Sequence, residues 1–398
     1  MDEWRYRTYL IALVLSVFVF FYNLMPCVYY SETRGLAKSK TDTNMVFHFI
    51  DVGQGDATFV ELSDGRTMLI DAGEEEYGSV VVEYISALGY KKIDCLIATH
   101  SDSDHVGGLT AVLNAFEVQY IFRPFIIASH ANPIDDLCSL GLNNSQILFD
   151  DNIAYTKFIN AVYTETYGGN PSFVSTLSNK SLCEKFVSVN EPYYLVEVLY
   201  PFAEIGKDRF VTPSGKTSGY TFNLPADTNS LSAIIYISTE NSKILLMSDG
   251  DSSVESELIA KTNTNSTLQS KLSNVDLFKV AHHGSKYSNS REFLSLVSPH
   301  ISVVSVGAEN DYDHPNDETL ERLNSTADII YRTDKDGSIV ITIDKAGSIS
   351  ADVGSEDEES KVISEGLMYL MFSLIIVGII STSIIYTIVK SKKKNEKN

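Results

Sequence analysis

The chain has 398 residues, of which 44% are hydrophobic and only 10 are proline, a composition that excludes a disordered or low-complexity protein. Its formal net charge is −21. Such a chain repels polyanions, which argues against tight binding of nucleic acid through a broad basic surface. Phosphoester chemistry is not excluded, because a bound metal ion can draw a phosphate group locally.

Two uncharged stretches near the ends of the chain are each long enough to cross a membrane. They run from Tyr9 to Tyr30 and from Gly366 to Val389, and roughly 20 apolar residues span a hydrocarbon core. We interpret the first as an uncleaved anchor, with a cleaved signal peptide as the alternative. Five lysines follow Val389. Since basic residues stay on the cytoplasmic side, the C-terminus is predicted to lie inside the cell.

This topology predicts a two-pass protein of the cell membrane with its middle part outside the cytoplasm. Residues 124–230 are rich in Asn, Ser, Gly and Pro, and we interpret them as an irregular insertion or lid. The predicted organisation is an N-terminal transmembrane anchor (1–30), a linker (31–43), a folded domain (44–353), an acidic linker (354–365), a transmembrane helix (366–389) and a basic cytoplasmic tail (390–398).

Short apolar strands and helical patterns interleave through the folded domain. Met45–Ile50, Thr67–Ile70 and Ile244–Met247 are typical of buried strands. Val80–Leu88 and Asp317–Leu323 have helical periodicity. The mixture predicts an α/β fold with many strands rather than a helical bundle.

The densest group of chemically active residues lies directly after an apolar run. His100, Asp102, Asp104 and His105 fall within six residues and precede two glycines. Borderline cations bind imidazole nitrogen and carboxylate oxygen, and the alternating spacing lets an extended loop direct several ligands to one place. The alternative is a solvated acidic loop with two incidental histidines. The density of the cluster favours a metal site.

Further residues that can bind metal each end an apolar strand. Asp71 follows Met68–Ile70, Asp249 follows Ile244–Met247, and the His282–His283 pair follows another such run. Singly, an Asp at this place is more often a turn former or a helix cap. Active sites of α/β proteins gather at strand ends, so the repetition predicts that these groups converge.

The order of these motifs resembles the metallo-β-lactamase superfamily, and within it the C-terminal hydrolase domain of the ComEC/Rec2 competence proteins. Similar pieces extend through nearly all of residues 45–345. They are Phe49-Ile50-Asp51-Val52-Gly53-Gln54-Gly55-Asp56-Ala57, Leu69-Ile70-Asp71-Ala72-Gly73, His100 to Gly108, Asn229-Ser230-Leu231, Leu245-Leu246-Met247-Ser248-Asp249, Lys279-Val280-Ala281-His282-His283-Gly284-Ser285-Lys286, Asn310-Asp311-Tyr312-Asp313-His314-Pro315 and Arg332-Thr333-Asp334-Lys335-Asp336-Gly337.

The resemblance implies a four-layer αβ/βα sandwich that holds one or two divalent metal ions, Zn or Mn. The first ion would use His100 and Asp102. The second would use Asp104, His105 and His283, with Asp249 bridging the two; the six metal ligands implied are thus His100, Asp102, Asp104, His105, Asp249 and His283. Asp102 stands where the family usually has a histidine, which favours a harder ion such as Mn²⁺. None of the other histidines is an obvious counterpart of the family's usual mid-chain third histidine.

The same resemblance implies metal-assisted hydrolysis of a phosphoester, either nucleic acid or a small molecule. Asp249 and Asp104 would take part in catalysis, with Asp249 holding the attacking water. His314 or Lys286 would stabilise charge on the leaving side, the alternatives being a loop histidine and an exposed lysine. Two other functions stay open: a surface esterase on a small phosphoester, and a non-catalytic anchored domain that binds metal or a partner.

Overall fold

The structure is a computed structural model. It describes residues 44–124, 126–128, 149–167, 173–176, 182, 185–188, 193–201 and 228–354. Both uncharged stretches, Tyr9–Tyr30 and Gly366–Val389, and the linkers beside them lie outside the described residues, apart from Gly354. Within these ranges, no helix combines the length and the apolar character that a membrane span requires.

The described residues form strands and helices that alternate along much of the chain. In chain order the strands are β1 (Met45–Phe49), β2 (Thr58–Glu61), β3 (Thr67–Ile70), β4 (Lys92–Ile97), β5 (Glu117–Arg123), β6 (Ile127–Ala128), β7 (Phe149–Asp150), β8 (Phe173–Thr176), β9 (Val187–Ser188), β10 (Tyr194–Tyr200), β11 (Ile234–Thr239), β12 (Lys243–Leu246), β13 (Leu277–Lys279), β14 (Ile301–Val304), β15 (Ile329–Arg332), β16 (Ile339–Ile343) and β17 (Ile349–Val353). The α-helices are α1 (Gly78–Ala87), α2 (Ser103–Val106), α3 (Leu109–Ala115), α4 (Ile153–Tyr167), α5 (Ser252–Thr262), α6 (Ser266–Leu272), α7 (Arg291–Val297), α8 (Asp317–Asn324) and α9 (Thr333–Asp336).

Two large sheets contain most of these strands. The first has the order β17-β16-β1-β2-β3-β4-β5-β8, and the second has the order β15-β14-β13-β12-β11-β10-β9. In the first sheet β3, β4, β5 and β8 pair in parallel, and in the second β12, β13, β14 and β15 do so. Parallel strands end at the same edge of a sheet, so the loops after them lie side by side.

Three apolar clusters define the layers of the fold. The cluster between the two sheets includes Phe47, Ile97, Val196, Ile235 and Leu277. The cluster between the first sheet and helices α1, α3 and α4 includes Leu69, Val81, Val112 and Phe158. The cluster between the second sheet and helices α5, α6 and α7 includes Leu245, Val254, Leu272 and Phe293. Because alternate residues of a strand face opposite sides, both sheets bury both faces. The predicted two-sheet α/β sandwich is confirmed.

The described parts of residues 124–230 differ from the irregular insertion that composition suggested. Strand β10 pairs with β11 inside the second sheet, and β8 extends the first sheet beside β5. Helix α4 buries Tyr155 and Phe158 in the core. Asn, Ser, Gly and Pro are frequent in the whole stretch, but short apolar segments between them join the two sheets.

Candidate metal centre

The predicted ligands lie on loops that leave the parallel strands abruptly. Asp71 follows β3 with φ 57°, and Ser248, next to Asp249, follows β12 with φ 45°. After β13, His282 and His283 have φ values of 49° and 51°. Left-handed backbone costs a non-glycine residue roughly 1–2 kcal/mol, and such strain is concentrated at functional sites. The turns direct these side chains toward one edge of the paired sheets.

Four of the six predicted metal-binding residues come together there. The ligand atoms of Asp104, His105, Asp249 and His283 all lie within 4.8 Å of one another. His105 Nε2 is 3.1 Å from Asp249 Oδ1, and His283 Nε2 is 3.1 Å from Asp104 Oδ2. His283 Nε2 is also 3.6 Å from Asp249 Oδ1. Asp104 and His105 follow β4 of the first sheet, whereas Asp249 and His283 follow β12 and β13 of the second.

The chemistry of these atoms fits a divalent ion. His105 Nε2 and Asp249 Oδ1 are buried, and neither has a hydrogen-bond partner among the described residues. Buried polar atoms without a partner are rare and costly. Two imidazole nitrogens and two carboxylates are a donor set that zinc and manganese accept. The cluster therefore has the composition of a metal site.

Neighbouring groups orient both histidines of this cluster for metal binding. His283 Nδ1 donates to the carbonyl oxygen of Ser305 at 2.9 Å, and His105 Nδ1 donates to Asp71 Oδ2 at 2.8 Å. When Nδ1 donates a proton in this way, Nε2 keeps its lone pair for an ion. Asp71 is itself held by Thr99, whose amide and hydroxyl donate to the carboxylate at 2.9 and 2.6 Å.

His100 and Asp102 lie beside the four-residue cluster and are not part of it. The ring of His100 is centred 4.1 Å from that of His105, and its Nε2 is 3.7 Å from Asp102 Oδ2. The hydroxyl of Thr228 donates to the other oxygen of Asp102. In the described part of the chain, these two ligands do not join a third one at the spacing of the main cluster.

His282, which the sequence indicated as able to bind metal but which is not among the six implied ligands, faces the other side of Asp249. Its Nε2 is 3.7 Å from Asp249 Oδ2, and the side-chain nitrogen of Asn229 is 3.5 Å from its ring. Asp249 thus presents Oδ1 to His105 and His283 and Oδ2 to His282.

Strong electrostatic coupling holds the cluster in its charged form. Burial alone would raise the pKa of the Asp249 carboxyl, but the charges of His105 and His283 hold it well below its usual value. Burial would lower the pKa of His283, yet the charge of Asp249 and the hydrogen bond to Asp104 raise it to about 10. An ionised carboxylate among imidazoles attracts positive charge, and a metal ion would take the place of the protons.

The structure places the two predicted leaving-side residues differently. The ring of His314 is centred 5.4 Å from that of His282 and 6.4 Å from that of His283. Asn310 fixes its backbone, accepting from the His314 amide at 2.9 Å and donating to its carbonyl at 2.7 Å. Lys286 is exposed, and its Nζ lies 5.4 Å from the centre of the Tyr287 ring. His314 therefore lies beside the cluster, whereas Lys286 lies on the surface.

The sequence of this chain is similar to those of known proteins. A family model described as the metallo-beta-lactamase superfamily matches residues 50–139, a stretch that contains Asp71 and His100 to His105. This match confirms the predicted resemblance to the metallo-β-lactamase superfamily. The resemblance to the ComEC/Rec2 competence proteins is also confirmed.

The relatives are similar over most of this chain. ComE operon protein 3 of Bacillus subtilis is 24% identical over 73% of this chain and 32% of its own length. Recombination protein 2 of Haemophilus influenzae is 23% identical over 73% of this chain and 28% of its own length. The chain thus spans about a third of the curated relatives that it matches. Among solved structures, the diiron β-hydroxylase CmlA from Streptomyces venezuelae has a TM-score of 0.38 at 12% identity, over 74% of this chain and 53% of CmlA.

Proposed function

We propose that this protein is a membrane-anchored, metal-dependent hydrolase that cuts phosphoester bonds. The observation that carries the proposal is the group of Asp104, His105, Asp249 and His283, whose ligand atoms lie within 4.8 Å of one another. A metallo-β-lactamase domain supports hydrolysis, because the members of this superfamily are generally metal-dependent hydrolases. A non-catalytic anchored domain that binds metal or a partner is the alternative. Sites that have lost catalysis typically lose ligands, whereas these four are retained.

Each residue of the centre has a distinct task in this proposal. A divalent ion held there would supply a Lewis acid and lower the pKa of a bound water. Asp249 would hold both the ion and the attacking water, since its two oxygens face opposite sides of the site. Burial and the charges of His282 and His283 lower the pKa of His314 to about 4. His314 is therefore neutral near pH 7 and would hydrogen-bond the leaving oxygen rather than supply positive charge.

The donor set favours one firmly held ion, with a second position beside it. The firmly held ion would be bound by Asp104, His105, Asp249 and His283. The second position would be that of His100 and Asp102, which lie beside the cluster. The carboxylate of Asp102 makes that position richer in oxygen, which favours manganese over zinc.

The substrate is proposed to be a phosphodiester, either a nucleic acid or a small molecule. Similarity to competence proteins favours nucleic acid, and the net charge of −21 favours a small substrate. Ionic strength separates the two, because binding of a nucleic acid weakens steeply with salt whereas binding of a small ester does not.

We predict that the full-length chain in detergent, stripped with EDTA, hydrolyses bis-p-nitrophenyl phosphate only after Mn²⁺ or Zn²⁺ is restored. The same preparation is then given a single-stranded oligonucleotide at increasing salt. A steep fall in rate identifies a polymer substrate. No turnover of any phosphodiester with any of these ions would favour the non-catalytic alternative.

The proposed location is the outer face of the cell membrane, with the lipid bilayer as a partner through two transmembrane helices. Lysines after Val389 support a cytoplasmic C-terminus. Protease added to intact cells is expected to digest residues 44–353 and leave the C-terminal tail. Protection of the folded domain in intact cells, with digestion after lysis, would contradict this topology.

A further inference from the structure

A fully buried lysine lies behind the candidate metal centre. Lys279, on β13 of the second sheet, is 2% exposed, and its Nζ is 2.6 Å from Asp56 Oδ2. Asp56 is 4% exposed and lies in the turn between β1 and β2 of the first sheet. This ion pair therefore connects the two halves of the sandwich through its interior.

Asp56 contacts three of the four residues in the cluster. Its Oδ1 is 3.4 Å from His283 Nδ1, and its Oδ2 is 4.0 Å from His105 Nδ1. Its backbone amide donates to the carbonyl oxygen of Asp104 at 3.0 Å, and its own carbonyl accepts from the Gly73 amide at 2.8 Å. Asp56 is thus joined to the ligand loops of both sheets.

Stability alone does not account for such a pair. Removing two charges from water is expensive, and apolar residues of similar size often replace a buried ion pair without loss of stability. A metal site, in contrast, needs its ligands held within roughly 0.5 Å of their working positions. The four ligands come in equal numbers from the two halves that the pair connects.

A second metal ion is a weaker explanation for the charges around Asp56. Single ligand atoms of Asp56, Asp71 and His105 also lie within 4.8 Å of one another. The ammonium group of Lys279 already lies against Asp56 and supplies the positive charge there. The cavity beside these residues has a volume of about 10 Å³, which is room for about one water molecule.

We infer that Lys279 and Asp56 are positioning residues, whose ion pair sets the distance between the Asp104–His105 loop and the Asp249 and His283 loops. The inference rests on the metal centre of the proposed function. It predicts that the pair controls metal affinity separately from its effect on folding.

The test uses the double variant Asp56→Asn/Lys279→Met in the full-length chain, stripped of metal in detergent. Lys279→Met alone leaves a buried carboxylate unpaired and should lower the melting temperature strongly. The double variant removes both charges and should recover most of that loss. Its affinity for Mn²⁺, measured from the electron paramagnetic resonance signal of the free ion, should stay about 10–100-fold below wild type.

A matched control is the pair of Lys271 and Glu197, whose side chains are 22% and 10% exposed and form an ion pair in the second sheet region. The variant Glu197→Gln/Lys271→Met should keep wild-type Mn²⁺ affinity. Wild-type affinity in Asp56→Asn/Lys279→Met would overturn the inference. If that double variant does not fold, Asp56→Asn alone is measured in its place. Wild-type Mn²⁺ affinity of Asp56→Asn would overturn the inference equally. If the wild type binds only Zn²⁺, the same affinities are compared with Zn²⁺. Binding of neither ion by the wild type would instead refute the proposed function, and with it the inference.

Discussion

Replacement of Asp249 by alanine is expected to reduce turnover by more than 100-fold with Mn²⁺ or Zn²⁺. Asp249 Oδ1 lies 3.1 Å from His105 Nε2 and 3.6 Å from His283 Nε2, while Oδ2 faces His282 at 3.7 Å. Loss of a group that only supports a ligand costs about 10–100-fold, so loss of a shared ligand should cost more. Steady-state kinetics and Mn²⁺ affinity of the full-length variant measure the effect.

A neighbouring aspartate provides the control for this variant. Asp251 caps helix α5, where its Oδ1 accepts from the amides of Ser253 and Val254 at 2.9 and 3.1 Å. Asp251→Ala should cost about 1 kcal/mol of stability through loss of the cap and should keep wild-type turnover per folded molecule. Near-normal turnover by Asp249→Ala would refute the assigned mechanism.

The sequence predicted most of the candidate site because its residues share a simple pattern. Asp104, His105, Asp249 and His283 follow apolar strands, and loops after parallel strands lie at one edge of a sheet. The structure brings these four together as that pattern predicted, while their role as ligands stays a prediction. The orientation of Asp249 toward His282 depends on the left-handed backbone at Ser248 and His282, which no residue type indicates.

Lys279 shows a second limit of sequence reasoning. It interrupts the apolar run Leu277–Ala281, as an exposed strand residue would. Its burial is explained by Asp56, which belongs to the other sheet and lies far from it along the chain. A partner that only the tertiary fold brings near cannot be predicted from local periodicity.

The fold itself was predicted best where strands are central. The bounds predicted for β1, β3 and β12 agree with the structure to within one residue. The interior strand β5 was not among the predicted strands. Neither were β15 and β17, which lie at the edges of their sheets. Their residues are mostly half-buried or exposed, so the alternation that marks a strand is weak there.

Gly284 lies where the backbone beside the candidate metal centre contacts the His314 loop. It follows His283 with φ 84°, and a Cβ atom there would lie 2.4 Å from the Cβ of Pro315. We predict that Gly284→Ala lowers the free energy of unfolding by about 1–3 kcal/mol more than its left-handed backbone alone would cost, because overpacking adds that much. Displacement of the His283 or the His314 loop should also reduce turnover.

Gly65→Ala isolates the contribution of the backbone. Gly65 has nearly the same φ, 85°, but a Cβ atom there would meet nothing within 4 Å. This control should therefore cost only the roughly 1–2 kcal/mol of a left-handed residue and keep wild-type turnover. Denaturant unfolding of the two full-length variants in detergent gives the difference between them. Equal free energies of unfolding for the two variants would show that Pro315 moves away from the added Cβ atom at no cost. The His283 and His314 loops would then not be rigidly coupled.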